Sequence, residues 1–151
     1  PMKLTLHQIQ ACDQIVAKLP LLRNKAQQLT ASADQAMRNS AATGGDMEFD
    51  TKYKQGLAEV ARRVRPLAET GEQCLAEAER CAKTSRGLFA LAARTLHEKI
   101  AAIGVGEPVA DHQIVVGFLV DSATGQLRAA EEKLAEAVTN LEAAQSAEEG
   151  R

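Results

Sequence analysis

Two glycine-containing breaks, Thr43-Gly44-Gly45-Asp46 and Gly104-Val105-Gly106-Glu107-Pro108, leave three long stretches in which an apolar residue returns every three or four positions. A chain punctuated in this way buries its apolar residues by laying long helices side by side. In the first stretch Cys12, Ile15, Leu19, Leu22, Ala26, Leu29, Ala33 and Ala36 alternate spacings of three and four, which is a narrow heptad seam. The second stretch repeats the pattern through Tyr53, Leu57, Val60, Val64, Leu67, Gly71, Cys74, Ala78 and Cys81, then more loosely through Leu88, Ala92, Leu96, Ile100 and Ile103. The third runs Val109, Val116, Val120, Ala123, Leu127, Ala130, Leu134, Ala137, Leu141 and Ala144. The reading is an all-α, elongated antiparallel bundle forming a single domain, with helices over about 4–42, 50–103 and 108–145. Residues 146–151 read as a frayed tail, because acidic side chains at a helix C-terminus oppose its dipole.

Length restricts how such helices can match. At about 1.5 Å per residue the first and third are roughly 60 Å long and the second roughly 80 Å. Pro66 offers a remedy, since proline removes a helix hydrogen bond and crowds the preceding turn, so a kink or break there gives a three- or four-helix bundle. The alternative is an overhanging hairpin tip. Counted outward from Gly44-Gly45, Pro20 falls level with Pro66, which predicts a shared kink or hinge. The same counting about Gly104 to Gly106 places Gly87 near Gly125 and Phe89 near Phe118, predicting a close backbone approach beside an aromatic pair.

Charge narrows the partners. The formal net charge is -2, which argues against nucleic acid as the main partner. It is unevenly spread, with nine acids against two bases over residues 107 to 150. Aromatics make up 3% of the chain and alanine much of its apolar fraction, so the core is expected to be thin and close-packed. The opening Pro1-Met2 reads as a remnant of tag removal before a native start, with no apolar signal segment behind it, so the expected location is cytoplasmic. The longest apolar run, Ile114 to Val120, is far short of the ~20 residues of a membrane helix.

Few residues offer chemistry. Cys12, Cys74 and Cys81 lie on the seams, but the last two are seven positions apart on one helix, roughly 10 Å, and read as small core residues. His97 and His112, with Asp111 nearby, could contribute to a divalent metal site, yet no helical spacing pre-arranges them on one face. Lys52, Lys54, Arg62, Arg63 and Arg65 form the one basic concentration, a match for an acidic segment or a solvated face with internal ion pairs. Gly104-Val105-Gly106 follows a helix rather than a strand, so it reads as a turn and not a phosphate loop.

The segment Ile114-Val115-Val116-Gly117-Phe118-Leu119-Val120 is apolar on all sides. A helix of that kind must be covered on more than the face it shows its own hairpin. Val115, Val116, Phe118, Leu119 and Val120, with Phe89, are therefore the expected interface. The resulting expectation is a non-catalytic interaction or scaffolding protein without a cofactor. It would associate with itself through the third helix and with a further protein. The alternative is a helical-bundle sensor of a small molecule or metal, with its site near His97 and His112 or at the Pro20 and Pro66 kink.

Overall fold

The computed structural model describes the backbone of residues 2–41, 47–106 and 110–150 and the side chains of residues 5–41, 51–106 and 113–150. Three helices pack against one another: α1 over Met2–Ala41, α2 over Met47–Gly104 and α3 over Ala110–Glu149. Outside them, Val105, Gly106 and Gly150 form turns, and no strand occurs among the described residues. No described helix is long and apolar enough to cross a membrane.

The chain enters the second turn by tightening the end of α2. The Val105 amide donates to the Ala102 carbonyl at 3.2 Å and the Gly106 amide to the Ile103 carbonyl at 3.1 Å. Gly106 then takes φ +76°, the left-handed conformation that costs glycine nothing and other residues a clash at Cβ. Glu107 to Val109 and the first turn at Ala42 to Asp46 lie outside the described residues.

Pro66 sits inside α2 without breaking it, so the bundle has three helices and not four. The ring forfeits one hydrogen bond, and packing on either side keeps the turn helical, with Val64 and Ala68 both buried. Pro20 is likewise internal to α1. The two prolines are not level: the Arg65 guanidinium bonds Asp34, so the Pro66 turn faces the region of Asp34, about four turns beyond Pro20. The expectation of a shared kink assumed helices flush at the Gly44-Gly45 turn, whereas α2 is staggered against α1. The end of α3 also departs from the sequence reading, because it stays helical to Glu149 instead of fraying from 146. Gln145 reaches Glu149 at 3.1 Å, and the half-buried Ala147 and Glu148 hold the last turn against the bundle.

Packing divides the residues into two compact units, to which each helix contributes a part. The first comprises Pro1–Leu19 and Glu77–Lys133. Its centre is a three-helix polar link: the Cys12 thiol donates to Ser85 Oγ at 3.4 Å, and the Ser85 hydroxyl donates to the Ala123 carbonyl at 2.7 Å. Around it Phe89, Ala82, Ala92, Ala123 and Ala130 are fully buried. Arg86 pairs with Asp13 at 2.7 Å and Lys133 with Glu77 at 3.3 Å at the rim.

The second unit comprises Pro20–Ala76 and Leu134–Arg151. Here Ala26, Ala33, Val64, Ala68, Leu75, Ala137, Leu141 and Ala144 form the core. Among the described glycines the tightest approach is at Gly71, where an added Cβ would lie 2.7 Å from Cδ2 and 2.9 Å from Cγ of Leu141. The close approach expected between Gly87 and Gly125 is absent: nothing lies within 4 Å of a Cβ at either. Both glycines face away from the seam, and the narrow passage is the one Leu141 fills.

The Gly71 contact makes a test of this packing. Gly71→Ala gains helix propensity of up to about 1 kcal/mol but overpacks a buried leucine, which costs about 1–3 kcal/mol. We expect chemical denaturation to show a net loss near 1 kcal/mol. In a Leu141→Ala background the same change should become neutral or stabilising, and purely additive effects would contradict the contact.

Candidate functional site

The register of the helices decides what remains uncovered. In the first unit, the Cys12 to Ser85 and Asp13 to Arg86 pairs fix α1 against α2. Counting on from them, Met2 falls opposite about residue 96, so the last two turns of α2 extend beyond α1. Eighteen residues make five helical turns and restore the same face. Ile100 and Ile103 thus repeat the positions of Ala82 and Ser85, both fully buried, yet they are 60% and 58% exposed. Their side chains lie along a seam that α1 does not reach.

The facing part of α3 shows a second, independent exposure. Ile114 and Phe118, four residues apart, are 65% and 75% exposed, and five turns further on their positions are occupied by the solvent-facing Glu132 and Glu136. Phe118 therefore points away from the core while Phe89 is fully buried, and the expected aromatic pair does not form. Of the six residues expected at an interface, Val115 and Phe118 are exposed, Val116, Leu119 and Val120 are half-buried, and Phe89 is interior. The exposed apolar surface excludes Phe89 and includes Ile100, Ile103, Val105 and Ile114.

A comparable situation arises in the second unit at the start of α2. Leu141 lies on Gly71, and Glu148 lies with Leu57, Val60, Ala61 and Val64 around a small cavity, so α3 ends at about residue 60 of α2. Tyr53 and Leu57 repeat the positions of Gly71 and Leu75 five turns earlier. Tyr53 is 56% exposed and Leu57 half-buried, while Leu75 is fully buried. Lys52, Tyr53, Gly56, Leu57, Glu59, Val60 and Arg63 line a groove of about 260 Å³ there. A larger open groove of about 590 Å³ runs beside Leu21, Leu22, Lys25 and Leu29 of α1 and Gln145 and Glu148 of α3.

The candidate chemistry resolves as follows. Cys12, Cys74 and Cys81 are all buried and free of disulfides. Burial pushes the Cys12 thiol above its ordinary pKa, partly countered by Ser85, so it stays protonated at neutral pH. Among the described residues no three His, Cys, Asp or Glu side chains are grouped to hold a metal ion. His97 is exposed, whereas the side chains of Asp111 and His112 lie outside the described residues. Arg65 of the basic concentration is held above its ordinary pKa by its hydrogen bond to Glu69 and by Asp34, which marks it as a structural cation. Lys52, Arg62 and Arg63 are exposed.

Compared with known proteins, the chain matches no family model, no curated protein and no solved structure.

Ser85 was not singled out by the sequence pattern, although a serine among apolar heptad positions is a readable signal. Ser85→Ala removes the acceptor for Cys12 and the donor to Ala123, and we expect a loss of about 1–2 kcal/mol in urea denaturation. A neutral effect would show that the link contributes no net stability.

Proposed function

We propose that this is a non-catalytic interaction protein that associates with a second copy of itself through the α2–α3 end. The observation that carries the reading is the pairing, within one unit, of an open apolar seam on α2 at Ile100 and Ile103 with an outward apolar stripe on α3 at Ile114 and Phe118. A twofold dimer satisfies both at once, because the stripe of each copy enters the seam of the other. Ile100, Ile103, Val105, Ile114, Val115 and Phe118 are between 46% and 75% exposed, and a group of large apolar side chains left in water marks an interaction surface more often than single ones do.

A second reading, a helical-bundle sensor of a small molecule, is supported by the groove of about 590 Å³ that begins one residue after Pro20. Its size is within the range of ligand sites. A ligand that raises the melting temperature, and loses that effect in Leu22→Lys, would favour it.

Light scattering on the eluting peak of a gel-filtration column tests the first reading. The wild-type chain should run as a dimer at micromolar concentration, and Phe118→Glu should reduce it to a monomer. The melting temperature of that monomer should be close to the dilute wild-type value, since Phe118 makes little contact within its own chain. A wild-type protein that stays monomeric throughout would sink the proposal.

A further inference from the structure

The seam at the start of α2 is a second uncovered surface, in the unit that does not contain the α2–α3 end. We infer that it docks an acidic amphipathic helix of a partner protein, laid in the groove of Tyr53, Gly56, Leu57 and Val60 between Lys52 and Arg63. The inference is independent of self-association.

The shape of the occupant follows from what covers the same face further along. Gly71 and Leu75 are covered where Leu141 of α3 packs, and Tyr53 and Leu57 continue that face five turns earlier, Leu57 at the cavity where α3 ends and Tyr53 beyond it. What fits there is another helix, lying where α3 would have lain had it been longer. Gly56 supplies a notch: nothing lies within 4 Å of an added Cβ, and Tyr53 and Val60 stand on either side of it. A branched aliphatic side chain can enter that notch as Leu141 enters the space over Gly71.

The charge of the occupant follows from the rim. Residues 51 to 65 carry five bases, Lys52, Lys54, Arg62, Arg63 and Arg65, against one acid, Glu59. Arg65 is engaged by Asp34 and Glu69, whereas Lys52 and Arg63 line the groove itself. The helix that occupies the neighbouring stretch of this face is itself acidic, with eight acids against two bases over Ala110–Glu149. A phosphate polymer is a poorer fit, because the groove floor is apolar, Glu59 lies on its rim and the chain is net negative. Opposite charge along the edges of an apolar groove selects the partner and its orientation.

Fluorescence anisotropy with the full chain tests this, using as probe a labelled peptide of residues 127 to 149, an acidic helix of the required pattern. Saturable binding is expected, at least tenfold tighter than for the same peptide with its six glutamates replaced by lysine. Lys52→Glu together with Arg63→Glu should weaken binding tenfold or more. Gly56→Leu should do the same by filling the notch, with an unchanged or higher melting temperature. The proposal is overturned if the two peptides bind alike or neither binds. It is equally overturned if the variants bind as the wild type does, which would mean the peptide merely displaces α3. Capture of the protein by phosphatidylserine vesicles or duplex DNA, in preference to the peptide, would also overturn it.

Discussion

A helix can bury a stripe of side chains only over the length for which a neighbour runs beside it, and α2 has 58 residues against 40 in each of α1 and α3. The excess is eighteen residues, or five turns, so some of the apolar stripe on α2 has no helix to lie against. The stagger distributes that excess. In one unit α1 ends short of Ile100 and Ile103; in the other α3 ends short of Tyr53. A break at Pro66 would have shortened the helix and removed the mismatch, but the packing of Val64 and Ala68 holds the turn together.

The distribution of residue sizes runs against the usual arrangement. Nine alanines, Ala26, Ala68, Ala78, Ala82, Ala92, Ala123, Ala130, Ala137 and Ala144, are fully buried, while Ile100, Ile103, Ile114 and Phe118 are largely in water. Small residues bring helix axes close, and close packing recovers dispersion energy that their limited area cannot supply through transfer from water. Phe89, Leu75, Leu19 and Leu141 fill the space that alanine leaves. Ile100, Ile103, Ile114 and Phe118 are large side chains outside that core, and they draw attention to the uncovered seams.

Much of this was legible in the residues. The heptad seams located the interior faces: Cys12, Ile15, Leu19, Ala26, Leu29 and Ala33 in α1, and Ala123, Leu127, Ala130, Ala137, Leu141 and Ala144 in α3, are all buried. A single seam was too narrow for α2, which packs against two partners. Ala61, Ala68, Leu75, Ala82 and Phe89, each seven residues after the last, form a second buried line that the three-four reading passed over. The register between helices was less accessible, because alanine-rich heptads fit one another at several offsets. The α2–α3 pairing, closed by the Gly106 turn, came out near the expected register, but Phe118 falls on the outward face of α3, in line with the exposed Glu132 and Glu136. The apolar character of Ile114 to Val120 was visible from composition; the vacant seam beside it was not.

The three cysteines have a consequence for how the molecule moves. They are buried, in no disulfide and, for Cys12, protonated at neutral pH, so each becomes reactive only when the packing around it opens. Cys12 and Cys81 belong to one unit and Cys74 to the other. The chain therefore carries its own clocks: the rate at which each thiol meets a modifying reagent records the opening of its own surroundings, without any label being introduced. If the helices that thread both units transmit every fluctuation, the three clocks keep the same time; if the units breathe separately, Cys74 keeps its own.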